Sequence, residues 1–134
     1  MSPIIALKTA FRQHLLASAP LTAALGGPHV HDEVPRSGVT PYVVFAEATA
    51  RENGTSSDRG HIVEMTLHVW SSQGGSAEAL ALGDHVADAL DDTLLPLQGH
   101  RMVTCRLAIT EARRMPEKNL TRVALRFRII TETL

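Results

Sequence analysis

The apolar positions change period several times along the chain, and each change marks a predicted element. Ile4, Leu7, Phe11 and Leu15 recur three and four apart, while Lys8, Arg12 and Gln13 fall off that stripe. This spacing predicts an amphipathic helix with Ser2 as cap, Pro3 as first helical position and an end near Ser18, before Pro20. Leu21 to Leu25 add a further turn, stopped by Gly26-Gly27. PYVVFAEATA, residues 41–50, is an extended run rich in β-branched and aromatic residues, opened by Pro41. In HIVEMTLHVW, residues 61–70, the period is two. Val63, Met65, Leu67 and Val69 point one way; Ile62, Glu64, Thr66, His68 and Trp70 point the other. Helical spacing returns from Ser76 to about Asp92, with Ala79, Leu82, Val86 and Leu90 as the stripe. Gly83 lies beside that stripe and allows close approach to a sheet. Val103, Cys105, Leu107 and Ile109 then alternate in one strand, and Val123, Leu125, Phe127 and Ile129 in the last.

Each strand has one apolar face, and the order reads α-β-β-β-α-β-β. This predicts an α+β fold: two helices packed on one face of a mostly antiparallel sheet of four to five strands. Two polar segments read as long hairpin loops, ARRMPEKN (112–119) and the stretch 51–59. The second comprises Arg51, Glu52, Asn53, Gly54, Thr55, Ser56, Ser57, Asp58 and Arg59. It has few apolar side chains, so it is expected to be mobile in the free subunit and to order on contact with a partner. A length of 134 residues fits one domain spanning 1–134.

Composition narrows the function classes. The single cysteine, Cys105, leaves no internal disulfide framework and suits a reducing compartment. The N-terminal stretch is no secretory signal, because Lys8, Arg12, Gln13 and His14 interrupt it. No run approaches the roughly 18 apolar residues that a membrane helix needs, so no membrane partner is expected.

The densest group of potential ligands is PHVHDEVP, residues 28–35. His29 and His31 share a face if this is a strand, and with Asp32 they could begin a metal-dependent hydrolase site. A third ligand would have to come from elsewhere, and the other histidines are scattered singly. A short edge strand ended by a turn at Pro35 is the reading adopted, with no metal and no cofactor. Cys105 alternates with apolar neighbours, which predicts a buried, unreactive thiol rather than a nucleophile. Gly74-Gly75-Ser76 lacks the lysine and the glycine spacing of nucleotide-binding loops. No catalytic residue is assigned. The carboxylates Glu78, Asp84 and Asp88 read as a solvated helix face or a subunit boundary. Asp91 and Asp92 oppose the helix dipole, which hints at an external partner.

Charge is unevenly placed. Residues 1–100 carry 5 Lys and Arg against 11 Asp and Glu; residues 101–134 carry 8 against 3. Opposite the apolar set of the last strand stand Arg122, Arg126 and Arg128, and alternation brings Arg106, Glu64 and Trp70 to the same face. Arginine and tryptophan are frequent interface anchors, so this face is expected to dock a protein. Nucleic-acid binding through these arginines is a competing reading, disfavoured by the near-zero net charge.

Four segments in order carry a resemblance: DEVP, PYVVF, LHVWSSQGG followed by an Ala-rich acidic helix, and LTRVALRFRIITE. Together they resemble the tail-completion, or tail-terminator, proteins of long-tailed phages and phage-derived gene transfer agents. The resemblance spans about residues 28–132 and implies a non-enzymatic virion protein, assembled in the host cytoplasm. It further implies a homo-oligomeric ring, typically of six copies, that caps the head-proximal end of the tail tube and stops its polymerisation. Partners implied are the tail tube protein and a head-side connector or stopper protein, with DNA only as cargo passing through the lumen. A head-completion ring is the alternative within the same neck. Passing DNA favours an acidic or neutral lumen over a basic one, which places the carboxylates at the lumen or the subunit boundary and the arginine face elsewhere. The −6/+5 charge division suits the two unlike surfaces of a head-to-tail ring.

Overall fold

A computed structural model describes residues 2–54 and 59–134 of the chain. Three helices cover one face of a six-stranded sheet. The chain runs α1 (Ile4–Leu16), α2 (Ala19–Leu25), β1 (Val30–His31), β2 (Tyr42–Glu52), β3 (Gly60–Ser71), α3 (Ala77–Leu90), β4 (Pro96–Leu97), β5 (His100–Met115) and β6 (Leu120–Thr133). A single 3-10 turn, Pro116–Lys118, joins β5 to β6. Strand order across the sheet is β1-β2-β3-β6-β5-β4. All neighbours are antiparallel except β1 and β2, which run parallel.

The α+β class expected from the periodicity holds, with additions. Residues 19–25 form a separate helix because the Ser18 hydroxyl accepts from Leu21 N–H and restarts the backbone, and left-handed Gly26 ends it. The sheet gains the two-residue edge strand β4, too short to leave a periodic signal. ARRMPEKN is mostly strand: β5 continues to Met115, and only three residues turn. Arg51 and Glu52 likewise belong to β2 rather than to a loop. Thr55, Ser56, Ser57 and Asp58, the centre of the expected partner-contacting loop, lie outside the described residues.

The core lies between the helices and the sheet. Leu7, Phe11 and Leu15 of α1 and Leu82, Val86 and Leu90 of α3 pack on Val63, Met65, Leu67, Val123, Leu125 and Phe127. Phe11 meets Phe127 edge to face, with centroids 5.9 Å apart. The expected alternation in β5 fails at both ends. Register shifts between Met102 and Thr104 and between Leu107 and Ile109 insert an extra residue each time. Met102 and Cys105 are therefore buried, while Val103 and Ile109 are exposed. A bulge flips every side chain beyond it to the other face.

Gly83 is where α3 comes closest to the sheet. A Cβ there would stand 3.0 Å from Val123 Cγ1. We expect Gly83→Ala to be near neutral, since the gain in helix propensity, about 1 kcal/mol, offsets the crowding. Gly83→Val has no such compensation and should cost about 1–3 kcal/mol in a denaturant melt. Equal stability of the valine variant would show that the contact is not tight.

Candidate functional site

The helix-free face of the sheet gathers most of the unusual side chains. Uninterrupted pairing of β3 with β6 sets Glu64 opposite Arg128, Thr66 opposite Arg126, His68 opposite Ala124 and Trp70 opposite Arg122. On β5, Arg106 pairs with Arg128, Ile109 with Arg126, Glu111 with Ala124 and Arg113 with Arg122. Arg106, Arg122, Arg126, Arg128, Trp70 and Glu64 thus share one face, as alternation predicts. Glu111, Arg113 and Ile109 join them, although the sequence reading put the first beyond the strand, the second in a loop and the third in the core. The signal available was the continued alternation of Ile109, Glu111 and Arg113 past the bulge.

A shallow pocket forms at the centre of this face, lined by Glu47, Thr66, His68, Ile109, Glu111, Arg122, Ala124 and Arg126. These residues come from all four long strands, so the pocket spans the width of the sheet. The curl has a local cause. The β2 register shift, between Phe45 and Ala48, lies opposite Met65 to Leu67 of β3. The second β5 shift lies opposite Arg126 and Phe127 of β6, which pair with Thr66 and Met65 of β3. Two bulges at one level, flanking a regular central pair, bend the sheet.

Charges on this face are only partly matched. Arg122 Nη2 contacts Glu111 Oε1 at 3.0 Å, while its buried Nε has no partner. Arg106 lies 3.5 Å from Asp91 and 3.8 Å from Asp92. Among the described residues Arg113, Arg126 and Arg128 have no ion pair within 4.0 Å, although Glu64 is Arg128's cross-strand neighbour. Unmatched arginines side by side repel one another, which leaves the face electrostatically ready for an anionic or polar partner.

Asp91 and Asp92 have internal partners in place of the external one suspected from sequence. Asp91 Oδ1 accepts from Leu107 N–H at 2.8 Å, and Asp92 N–H donates to Cys105 O at 2.8 Å. Arg106 then offsets their charge at the helix end. Glu78 is also held: it accepts from the buried Ser71 hydroxyl at 2.6 Å, and its N–H donates to Gln73 Oε1 at 3.0 Å. Asp84 and Asp88 stand exposed on the outer side of α3.

His29 and His31 lie at the start of the parallel edge pair, 6.3 Å between ring centroids. Asp32 pairs with Lys8 at 2.9 Å, and the Val30 carbonyl accepts from Arg12 Nε at 3.0 Å. PHVHDEVP is thus β1 and its turn, stitched to α1. No group of three or more His, Cys, Asp or Glu side chains converges among the described residues. Cys105 is buried, and burial, with Asp91 and Asp92 beside it, pushes its thiol up to about 12. The segment SSQGG is a structural joint. Arg114 donates to Gln73 O, Thr121 Oγ1 and Asn119 Oδ1, and Asn119 Nδ2 donates to Ser72 O.

Burial holds the His68 imidazole below its ordinary range, Arg122 adds to this, and Glu47 and Glu111 oppose it. A lowered folded value means that folding favours the neutral ring. Its contribution is complete above the unfolded value of about 6.5 and is lost as pH falls through the folded value. NMR titration of His68 should give a midpoint below 6.5, and Glu111→Gln should lower it further. A midpoint at or above 6.5 would contradict the packing described.

Two comparisons with known proteins point the same way. The family model described as "Tail completion protein gp17" matches residues 9–132. A chain from a structure of the virion of a native gene transfer agent (GTA) particle superposes with a TM-score of 0.90. It is 29% identical, over 98% of this chain and 98% of that one. The search of curated proteins found no match.

Proposed function

From the premise that the chain belongs to the tail completion protein gp17 family, we propose that it closes the head-proximal end of a tail tube. It is a structural protein of a virion and not an enzyme. Copies of it, six in number, form a ring on the last tube ring, stop further polymerisation and offer the opposite side to a head-side connector or stopper protein. DNA crosses the ring as cargo. The observation that carries this reading is the 0.90 TM-score likeness, over nearly the whole of both chains, to a component of a gene transfer agent virion.

The subunit has two unlike faces, which a closed ring turns toward different surroundings. The helix-free face presents Arg126 and Arg128, flanked by Trp70 and Arg106; the opposite side presents Asp84 and Asp88 on α3. Such a ring acts by differential binding alone. It must hold a finished tube end more tightly than free subunits hold one another, which keeps premature caps rare.

Deletion of the gene in its phage or phage-like cluster tests the role. Overlong or irregular tails, unattached to filled heads in electron micrographs, are the expected result. Tails of normal length beside leaking or tailless heads would move the protein to the head side of the neck.

A further inference from the structure

The sheet has two open edges. β1 covers β2 only at Val43 and Val44, and β4 covers β5 only at His100 and Arg101. Beyond them, Ala46–Glu52 on one side and Ala108–Arg113 on the other have no neighbouring strand among the described residues. Neither segment contains proline or glycine. Long uncovered edges of this kind invite pairing with another chain.

We propose that β5 of one copy pairs with β2 of the next, so that the four long strands of each subunit continue into one closed sheet around the ring. The inference rests on the ring reading above and specifies how its subunits join. Direction permits it: β2, β3, β6 and β5 alternate antiparallel, so a following β2 continues the alternation.

Hydrogen-bonding parity permits it as well. Val43 N–H donates away from β3, to His29 O. Its partner on the unbroken β3 is Val69, and the same phase passes through Leu67 to Met65 and Val63, the partners of Ala48 and Ala50. Ala48 and Ala50 therefore direct their backbone groups outward. On the other edge, Leu107 N–H and Cys105 O point outward to Asp91 and Asp92. The phase carried by Phe127 and Leu125 of β6 then makes Thr110 and Ala112 outward. All four outward residues have small side chains on the helix side of the sheet. Pairing Thr110 with Ala50 and Ala112 with Ala48 joins backbone to backbone and keeps both faces continuous.

In that register Glu111 stands opposite Thr49, Arg113 opposite Glu47 and Ile109 opposite Arg51, with Glu111 diagonal to Arg51. Charges of opposite sign thus meet across the seam. The register also sets the geometry of closure. Thr49 lies level with Glu64 and hence with Arg128, whereas Glu111 lies level with Ala124, an offset of four positions along β6. Four residues over four strands is about 14 Å along the strands for about 19 Å across them. The implied tilt is about 36°, the value for a barrel with a shear of one residue per strand. Closed with the three helices outside, such a barrel places Arg126 and Arg128 on the inner wall. That is the reverse of the acidic or neutral lumen expected from the sequence.

The test is an engineered disulfide across the seam. Thr49→Cys and Glu111→Cys stand opposite each other in a non-hydrogen-bonded pair, where Cα atoms lie about 4.5 Å apart, within disulfide reach. Native Cys105 is buried and stays in place. Oxidation of purified double variant, assembled at high concentration, should give a covalent ladder up to the ring. Each single variant, and Thr49→Cys with Val103→Cys, should give none. Thr110→Pro removes one outward donor without touching the β5–β6 ladder. It should keep the parent's monomer melt yet lose the assembled species in native mass spectrometry at concentrations where the parent is assembled. Rings that form without the ladder, or that tolerate the proline, would overturn the edge pairing while leaving the tail-capping reading intact. Normal tail lengths in the gene deletion would sink that reading without bearing on the ladder.

Discussion

The central constraint on this molecule is that a strand alternates its faces strictly unless an extra residue breaks the alternation. β3 and β6 obey it without interruption for twelve paired positions, and they form the rigid middle of the sheet. The strands on either side break it at the same level, β2 between Phe45 and Ala48 and β5 between Leu107 and Ile109. A regular centre between two kinked flanks curls, and the curl sets the concave pocket, the grouping of the arginines and the angle at which the edges face outward. Helix packing follows from the same framework. Gly83 lets α3 lie close to Val123 on the straight strand, while α1 covers the middle of the sheet through Phe11 and Phe127.

The physical origin of each element decided how far it could be read in the sequence. α1, α3, β3 and β6 repeat one period for ten residues or more, and their core residues fall where that period puts them. β5 does not, because two bulges divide it into short registers, each too brief to establish a phase. Val103 and Ile109 were therefore placed in the core when they are exposed, and Glu111 and Arg113 were missed on the arginine face. β1 and β4 are two residues each and owe their extended form to the neighbours they pair with. The roles of Asp91 and Glu78 were hidden for a different reason. Their partners, Leu107 N–H and the Ser71 hydroxyl, are adjacent only after the chain has folded.

In the proposed barrel, arginines beside Glu47, Glu64 and Glu111 would offer passing DNA a graded surface rather than a uniformly repellent one. Phosphate contacts with scattered arginines are screened by salt and exchange readily. In that arrangement the acidic α3 side would face away from the nucleic acid. Specific recognition would then reside in the seams, where unlike edges meet.

The position of β6 has a consequence in time. It follows the other five strands in sequence, Leu120–Thr133, yet it sits at the centre of the sheet, between β3 and β5. β3 and β5 meet only through β6, so most long-range pairing in the sheet requires β6 to be in place. A chain with that topology collects its non-local contacts late and all at once, which slows folding. Neither the curl nor the relative placement of the two edges exists until β6 is in position, so the edges that the proposed ring would join form only together with the fold.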